Sequence, residues 1–375
     1  MTPEGEASRS ERYSAIKTRF YVADLFLTFA SLVAFQVFLS RPLQQAASGS
    51  FTGFYAACFF YMAVLYFFMY LVGLPLHFTS SFIVEHRFDL STQSIFAWCK
   101  DELKSLALSL ALWEACIIVF YFVLRTFPSL WWVIAALLWI FFSIVLARVL
   151  PVLLIPIFYK YSPVEEGPLK ERILALAERC SLSLLNVYQI DFSKKTRKAN
   201  AALVGMGKTK RVVLADTLVN EFSPAEAESV VAHEFGHSRY RHIWQLLFFS
   251  GAVTLLAFFL LFLSAHRIVE VTGASGLSDL YLFPVLMLLL FIFGLAILPA
   301  QNFFSRCLER QADRYAMDMT GDTDTFISVM RKLSEMNLAE EEPSLLKKIF
   351  MYDHPPVGER IRMAEEISRE NKKNP

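Results

Sequence analysis

The sequence predicts a mainly α-helical, polytopic membrane protein carrying a small mixed α+β domain on one membrane face. Three observations predict it. Apolar types make up 55% of the 375 residues, with 36 Phe, and mean hydropathy is +0.43, more apolar surface than a soluble chain of this length needs to bury. Six stretches, near 21–40, 54–76, 105–124, 130–158, 243–265 and 281–300, reach the roughly twenty apolar residues that a helix needs to cross hydrocarbon. One long polar segment, 160–242, interrupts them with strand and helix patterns of its own.

Taken in order, residues 1–20 are polar and mixed in charge. They are not a cleavable leader, so the first apolar run is expected to stay as an anchor. Four spans follow through residue 158, with a polar loop at 79–102 between the second and third. The run at 130–158 is over-long and carries Arg148, Pro151 and Pro156. It is expected to leave the membrane before Pro156, with Arg148 turned into the protein or snorkelling. Residues 159–375 form a second unit with two further spans, 243–265 and 281–300, and a polar tail.

Flanking charge sets the orientation. Segments 1–20, 79–102, 160–242 and 301–375 hold 4, 2, 13 and 12 Lys+Arg, whereas the alternate loops hold only Arg41, Arg125 and Arg267. That asymmetry places both termini and the 160–242 segment in the cytosol. The formal charge of +1 and the lack of a basic, aromatic-rich arm exclude a nucleic-acid partner. Five scattered Cys, none in a CxxC pair, fit a reduced compartment.

Within 160–242, Pro168 opens an amphipathic helix, and two β-rich runs follow at 184–190 and 211–215. Ser223-Pro224-Ala225-Glu226 is a capping box with Pro at the first helical position. Only Gly236 interrupts the helical pattern from there to Ser250, so one unbroken helix is expected to run into the fifth span. The tail reads as a helix near 324–337, an acidic loop, and a last helix after Pro355-Pro356.

The sharpest chemical signal is His233-Glu234-Phe235-Gly236-His237, an HExxH on a predicted helix. Residues four apart lie about 40° apart on a helix, so both imidazoles can face one Zn²⁺. Glu234 then stands where a general base must be to activate a water. Two histidines leave a tetrahedral site short of a protein ligand. His237 is six residues before the fifth span, about 9 Å from the bilayer edge at 1.5 Å per residue. The missing ligand must sit on the same side at similar height. Glu309, about nine residues past the sixth span, lies roughly 13 Å out. It shares one helix face with Asn302, Arg306 and Asp313. A solvated surface helix shows the same stripe; the matching height favours the ligand. Glu270 and Asp279 lie across the membrane, and Glu226 and Glu228 lie upstream on the HExxH helix itself.

Asp313, one turn past Glu309, suits a hydrogen bond that fixes a ligand histidine's tautomer. His354 is open to two readings, a donor to the oxyanion or an ordinary loop histidine. His77, His86, His242 and His266 read as structural residues at span edges. Asn200-Ala201-Ala202-Leu203-Val204 can be an edge strand that pairs with a peptide, or simply a short strand.

At this point the chain resembles the type I CAAX prenyl endopeptidases, integral-membrane gluzincins. The resemblance rests on SFIVEHRFDLSTQSIFAWCKDELKS at 81–105, then on SPVEEGPLKERI, NAALVGMGKTKRVVLADTLV, VVAHEFGHSRYRH, QNFFSRCLERQADRYA and HPPVGERI in the family's order. It implies a helical transmembrane barrel around a chamber, with a gluzincin-like zinc domain on the cytosolic face. It implies one Zn²⁺ per chain on His233, His237 and Glu309, with Glu234 as general base and Asp313 behind the ligands. It further implies Asn200, Arg306, His354 and Arg360 as substrate or oxyanion contacts, and the edge-strand reading adds Ala201 to the substrate-binding residues. The chain departs from the family in having six spans where the family has seven, and in Leu203 and Val204 where aromatics are common.

The reading is therefore a zinc metalloendopeptidase working near the cytosolic membrane surface. Its expected partners are a peptide or protein substrate, lipidated or not, and membrane lipids. Short loops favour a bacterial inner membrane over the endoplasmic reticulum. The alternatives are a quality-control metalloprotease for membrane proteins and a non-enzymatic binder or transporter.

Overall fold

The computed structural model describes residues 8–373 except Met206; the side chains of 148–151, 154, 208 and 373, Arg148 among them, lie outside that description. In the membrane half, α1 (Arg9–Ala34) runs through a π-helical turn into α2 (Ser40–Ser50), and α3 (Phe54–Phe78) through a second into α4 (Val84–Arg87). Helices α5 (Ile95–Thr126) and α6 (Trp131–Phe158) follow. Next come β1 (Tyr161–Pro163), α7 (Pro168–Arg179), β2 (Asn186–Ile190), β3 (Ala201–Val204), β4 (Arg211–Ala215), α8 (Asp216–Glu221) and α9 (Pro224–Arg239). The chain ends with α10 (His242–Thr272), α11 (Phe283–Thr320), α12 (Thr323–Asn337), α13 (Leu345–Met351) and α14 (Val357–Lys373).

Among the described residues, five continuous helices are long and apolar enough to cross a membrane: Arg9–Ser50, Phe54–Arg87, Ile95–Thr126, His242–Thr272 and Leu280–Thr320. A sixth, α6, is 28 residues long, and Trp131–Ala147 is its apolar stretch among the residues whose side chains are described. Contacts run α1 to α3, α5, α6, α10, α11 and back to α1, so six helices close a barrel. Its end remote from the β-strands is filled by aromatic rings. Phe54 lies 5.7 Å from Tyr121, Trp131 6.3 Å from Phe258, and Phe120 6.5 Å from Phe283. Ser40 Oγ donates to Tyr281 O at 2.8 Å at the same end.

The helices outrun the apolar stretches. A capping box of Ser8 and Glu11 starts α1 at Arg9, inside the segment expected to be merely polar. The second helix persists to Arg87 before turning at Asp89, whose φ is 55°. From that turn Leu90 O accepts from Arg197 N at 2.9 Å and Ser91 bridges Thr196, tying the loop at 79–102 to the strand domain.

That domain holds a four-stranded sheet in the order β1-β2-β4-β3, with β2 and β4 parallel and β3 antiparallel to β4. The Ala201–Val204 strand is therefore an edge. A single apolar core under the sheet gathers Ile173 of α7, Leu214 of β4, Phe235 of α9, Ala316 of α11 and Phe326 of α12. Burial of this face, worth roughly 1.5–3 kcal/mol per large side chain, fixes α9 against α11.

The expectation of one unbroken helix from 223 to 250 is corrected. Helix α9 stops at Arg239, and Arg241 takes a left-handed conformation, φ 57° and ψ 38°, before α10 begins. Gln245 Nε2 donates to the freed Tyr240 carbonyl at 2.9 Å. The break lets α9 pack in the domain core while α10 takes the separate direction of a barrel helix. No Pro or Gly marks it, which is why sequence pattern misses it. Helix α11 has no such break. Its 38 residues, about 57 Å at 1.5 Å each, carry the barrel wall into the domain as one helix.

Candidate metal centre

Helix α9 starts on the expected capping box. Ser223 N donates to Glu226 Oε2 at 2.8 Å, and Ser223 Oγ accepts from Glu226 N at 3.3 Å. From that start, His233 and His237 emerge on the face that meets α11. The two helices cross closely at Gly236. A Cβ there would stand 3.0 Å from Ala312 Cα and 3.2 Å from Ala312 O, closer than side chains tolerate without the backbone moving. Glycine at this position therefore sets the helix spacing that the site requires.

At the crossing His233, His237 and Glu309 form a group able to hold a metal. His233 Nε2 and His237 Nε2 are 3.1 Å apart. Glu309 Oε2 is 3.2 Å from His233 Nε2, and Oε1 is 3.3 Å from His237 Nε2. A tetrahedral zinc with bonds of about 2.05 Å separates its ligand atoms by about 3.3 Å. Glu309 Oε2 is buried, and among the described residues no well-aligned donor reaches it. Two imidazole nitrogens and an orphaned carboxylate oxygen at this spacing suit a cation between them.

The stripe Asn302, Arg306, Glu309 and Asp313 is buried throughout, which removes the solvated-helix reading. Asp313 Oδ1 lies 2.8 Å from His233 Nδ1. Arg360 holds the same carboxylate from α14, its Nε donating to Oδ2 at 2.9 Å and its Nη2 to Oδ1 at 2.5 Å. Despite burial, which opposes it, Arg360 and His233 keep Asp313 below the usual carboxylate range. Burial disfavours a charged His233, yet Asp313 and Glu309 push its imidazole up to about 9. Burial pushes the Glu234 carboxyl up, against the pull of His233 and His237. That direction suits a group that must take and return a proton.

His354 faces the group from the side open to solvent. Its Nε2 is 3.5 Å from Glu309 Oε1, and its Nδ1 is 2.9 Å from Asp353 Oδ1. The bond to Asp353 raises its pKa. The other expected contacts sit elsewhere. Arg306 Nη1 donates to Lys348 O at 2.8 Å and Tyr352 O at 2.6 Å, and Asn302 Nδ2 to Ile349 O at 3.0 Å. They hold α13 and the turn that carries His354. Arg360 is engaged by Asp313. Asn200 and Ala201 stand at the head of the edge strand, where Asn200 Oδ1 accepts from Ala201 N at 2.9 Å. Further along that strand, Leu203 and Val204 line a cleft with Glu234 and His237. One residue escaped the sequence reading. His242, placed there among span-edge residues, lies against His237. The signal was its position five residues on, invisible while α9 was taken to continue.

Residues 163–368 match the family described as peptidase family M48. The chain belongs to that family. Residues 2–160 match the one described as CAAX prenyl protease N-terminal, five membrane helices; in this M48 member the described part of that region holds the walls α1–α2, α3–α4, α5 and α6. The chain is 30% identical over 368 residues to the uncharacterized metalloprotease YhfN of Bacillus subtilis, across 96% of this chain and 85% of that one. It is 31% identical over 325 residues to CAAX prenyl protease 1 of Saccharomyces cerevisiae, across 81% and 71%. The crystal structure of S. mikatae Ste24p superposes with a TM-score of 0.85 at 26% identity, covering 97% of this chain and 91% of that one. The M48 protein is thus a multi-pass membrane metalloprotease with the Ste24p fold.

Proposed function

We propose that this M48 protein is a zinc endopeptidase, one Zn²⁺ per chain, that trims tails of proteins presented at the cytosolic face of the membrane. The observation that carries the zinc assignment is the set of 3.1, 3.2 and 3.3 Å separations among His233, His237 and Glu309, the edges a tetrahedral ion demands. Zinc bound there supplies Lewis acidity toward the scissile carbonyl and a water of lowered pKa.

The chain's own residues do the rest. Glu234 takes the proton of the attacking water and passes it to the leaving amine nitrogen. His354 Nε2 donates to the carbonyl oxygen as charge builds on it. Asp313, held by Arg360, fixes the His233 ring. The free edge of β3 at Ala201–Val204 pairs with an extended peptide and leads it along the cleft to Glu234. Arg306 positions the segment that carries His354.

The distribution of Lys and Arg supports a cytosolic site. The match to a Bacillus subtilis relative across 96% of this chain supports a bacterial cytoplasmic membrane, which in a two-membrane cell is the inner one. The named activity of the yeast relative supports a prenylated CaaX tail as substrate.

Pure protein should carry one zinc. Glu234→Gln should retain that zinc and lose at least about a hundredfold in cleavage rate. A Glu234→Gln variant with full activity would remove Glu234 from its role. A farnesylated CaaX peptide should be cut faster than an unmodified unfolded membrane segment; the reverse order would make the protein a quality-control protease.

A further inference from the structure

We propose that His242 is a positioning residue that fixes the tautomer of His237, so that the His237 Nε2 lone pair points at the metal. The inference rests on the zinc reading above and adds a residue to it.

The break between α9 and α10 turns His242 back toward the site. Its ring is buried, 1% exposed, and Tyr240 stacks beside it at 5.7 Å with planes 19° apart. His242 Nδ1 lies 3.0 Å from His237 Nδ1, and His242 Nε2 lies 3.1 Å from Gln311 Oε1. Gln311 stands on α11, two residues past Glu309. The left-handed Arg241 that makes this turn possible is a conformation that a residue with a Cβ rarely adopts. A simple continuation of the helix would have avoided it.

Proton placement along this chain follows from the orientation of the Gln311 amide. Two imidazole nitrogens 3.0 Å apart need one proton between them. Gln311 presents an amide oxygen, which only accepts, so His242 Nε2 carries a hydrogen and donates it. Neutral His242 then has a lone pair on Nδ1, and the bridging proton belongs to His237 Nδ1. His237 Nε2 is left unprotonated and faces His233 and Glu309. The opposite arrangement sets a His242 lone pair against the Gln311 oxygen and puts hydrogen on His237 Nε2, where the metal must bind. His233 reaches the same tautomer through the Asp313 carboxylate. The two ligand rings are therefore set by different partners, one anionic and one neutral. Two anionic partners would bring another negative charge beside Glu309 and Asp313.

Amide substitutions separate this role from packing, because Asn places its oxygen near the Nδ1 position of the ring whereas Gln reaches the Nε2 position. Zinc affinity of the full-length purified protein would be measured by competition with a fluorescent chelator, with thermal unfolding of the zinc-free protein alongside. His242→Asn keeps an acceptor for His237 and should stay within about threefold of the unsubstituted protein. His242→Gln and His242→Phe lose it and should bind zinc roughly 10–100-fold more weakly. Equal zinc affinity in His242→Phe would overturn the proposal, and so would a His242→Asn variant as weak as His242→Gln. The Asn–Gln pair decides even if the Phe variant does not fold. Stoichiometric zinc in the unsubstituted protein keeps the zinc reading separate from this outcome.

Discussion

The remote end of the barrel and the helix crossing at Gly236 are both tightly built, but by different means. At the barrel end, rings of Phe54, Tyr121, Trp131 and Phe283 pack against aromatic neighbours edge to face or tilted, and shape is held mainly by contacts that are individually weak. At the crossing, Asp313 is fully buried and held by named hydrogen bonds from Arg360. Each substitution there leaves a charge or a donor without its partner. A barrel of aromatic contacts tolerates drift in sequence. A metal centre needs atoms held to a few tenths of an ångström. The difference predicts that damage to the barrel end lowers stability and spares zinc, whereas damage at the crossing affects both.

The largest effect belongs to Asp313→Asn. It takes the negative charge away from the His233 ring and from the largely covered Arg360, so we expect zinc to bind about 10–100-fold more weakly and the domain to lose about 3 kcal/mol. Zinc titration and denaturant unfolding check both, and an unchanged zinc affinity would break the comparison. Phe283→Ala should cost about 3 kcal/mol by the cavity it opens and leave zinc affinity unchanged. A loss of zinc in that variant would mean that the barrel end and the site are coupled. Gly236→Ala forces α9 off α11 and should cost about 1–3 kcal/mol, with a several-fold loss of zinc affinity at unchanged fold by circular dichroism.

The smallest effect is an acid one. Burial works to raise the Glu226 pKa, but bonds from Ser223, Lys332 and Ser328 bring it to about 2. A carboxylate depressed in the folded state stabilises it above its unfolded pKa, and that contribution disappears as pH falls from the ordinary carboxylate range toward 2. After allowance for solvent, about 1 kcal/mol of domain stability should vanish over that window, and Glu226→Gln should flatten the acid limb of the unfolding curve. An acid limb unaltered by the substitution would exclude the cap as its source.

Much of this was legible in the sequence, for reasons that differ by region. Hydropathy marks the six helices of the barrel, five of them long and apolar enough to cross a membrane among the described residues, because a run of apolar side chains is a local signal. The histidine pair and Glu309 were legible because helical spacing and height above the membrane are local quantities. Their ends were not. Helix α1 begins at Arg9 and α3–α4 persists to Arg87 because capping and contacts with the strand domain extend helices beyond the hydrocarbon. The break at Arg241 was hidden for a related reason: tertiary packing of α9 and α10 in two directions, not a Gly or Pro, imposes it. Arg360 came from family resemblance alone, since Asp313 lies 47 residues away and no periodicity joins them. Its bond to Asp313, and that of Arg306 to the α13 turn, needed the fold.

The most direct test is metal analysis of the purified protein beside Glu309→Ala. One zinc per chain in the first and markedly weakened binding in the second is the predicted result. Absence of stoichiometric zinc, or unchanged affinity without the Glu309 carboxylate, would contradict the assignment of the crossing at Gly236 as the metal centre.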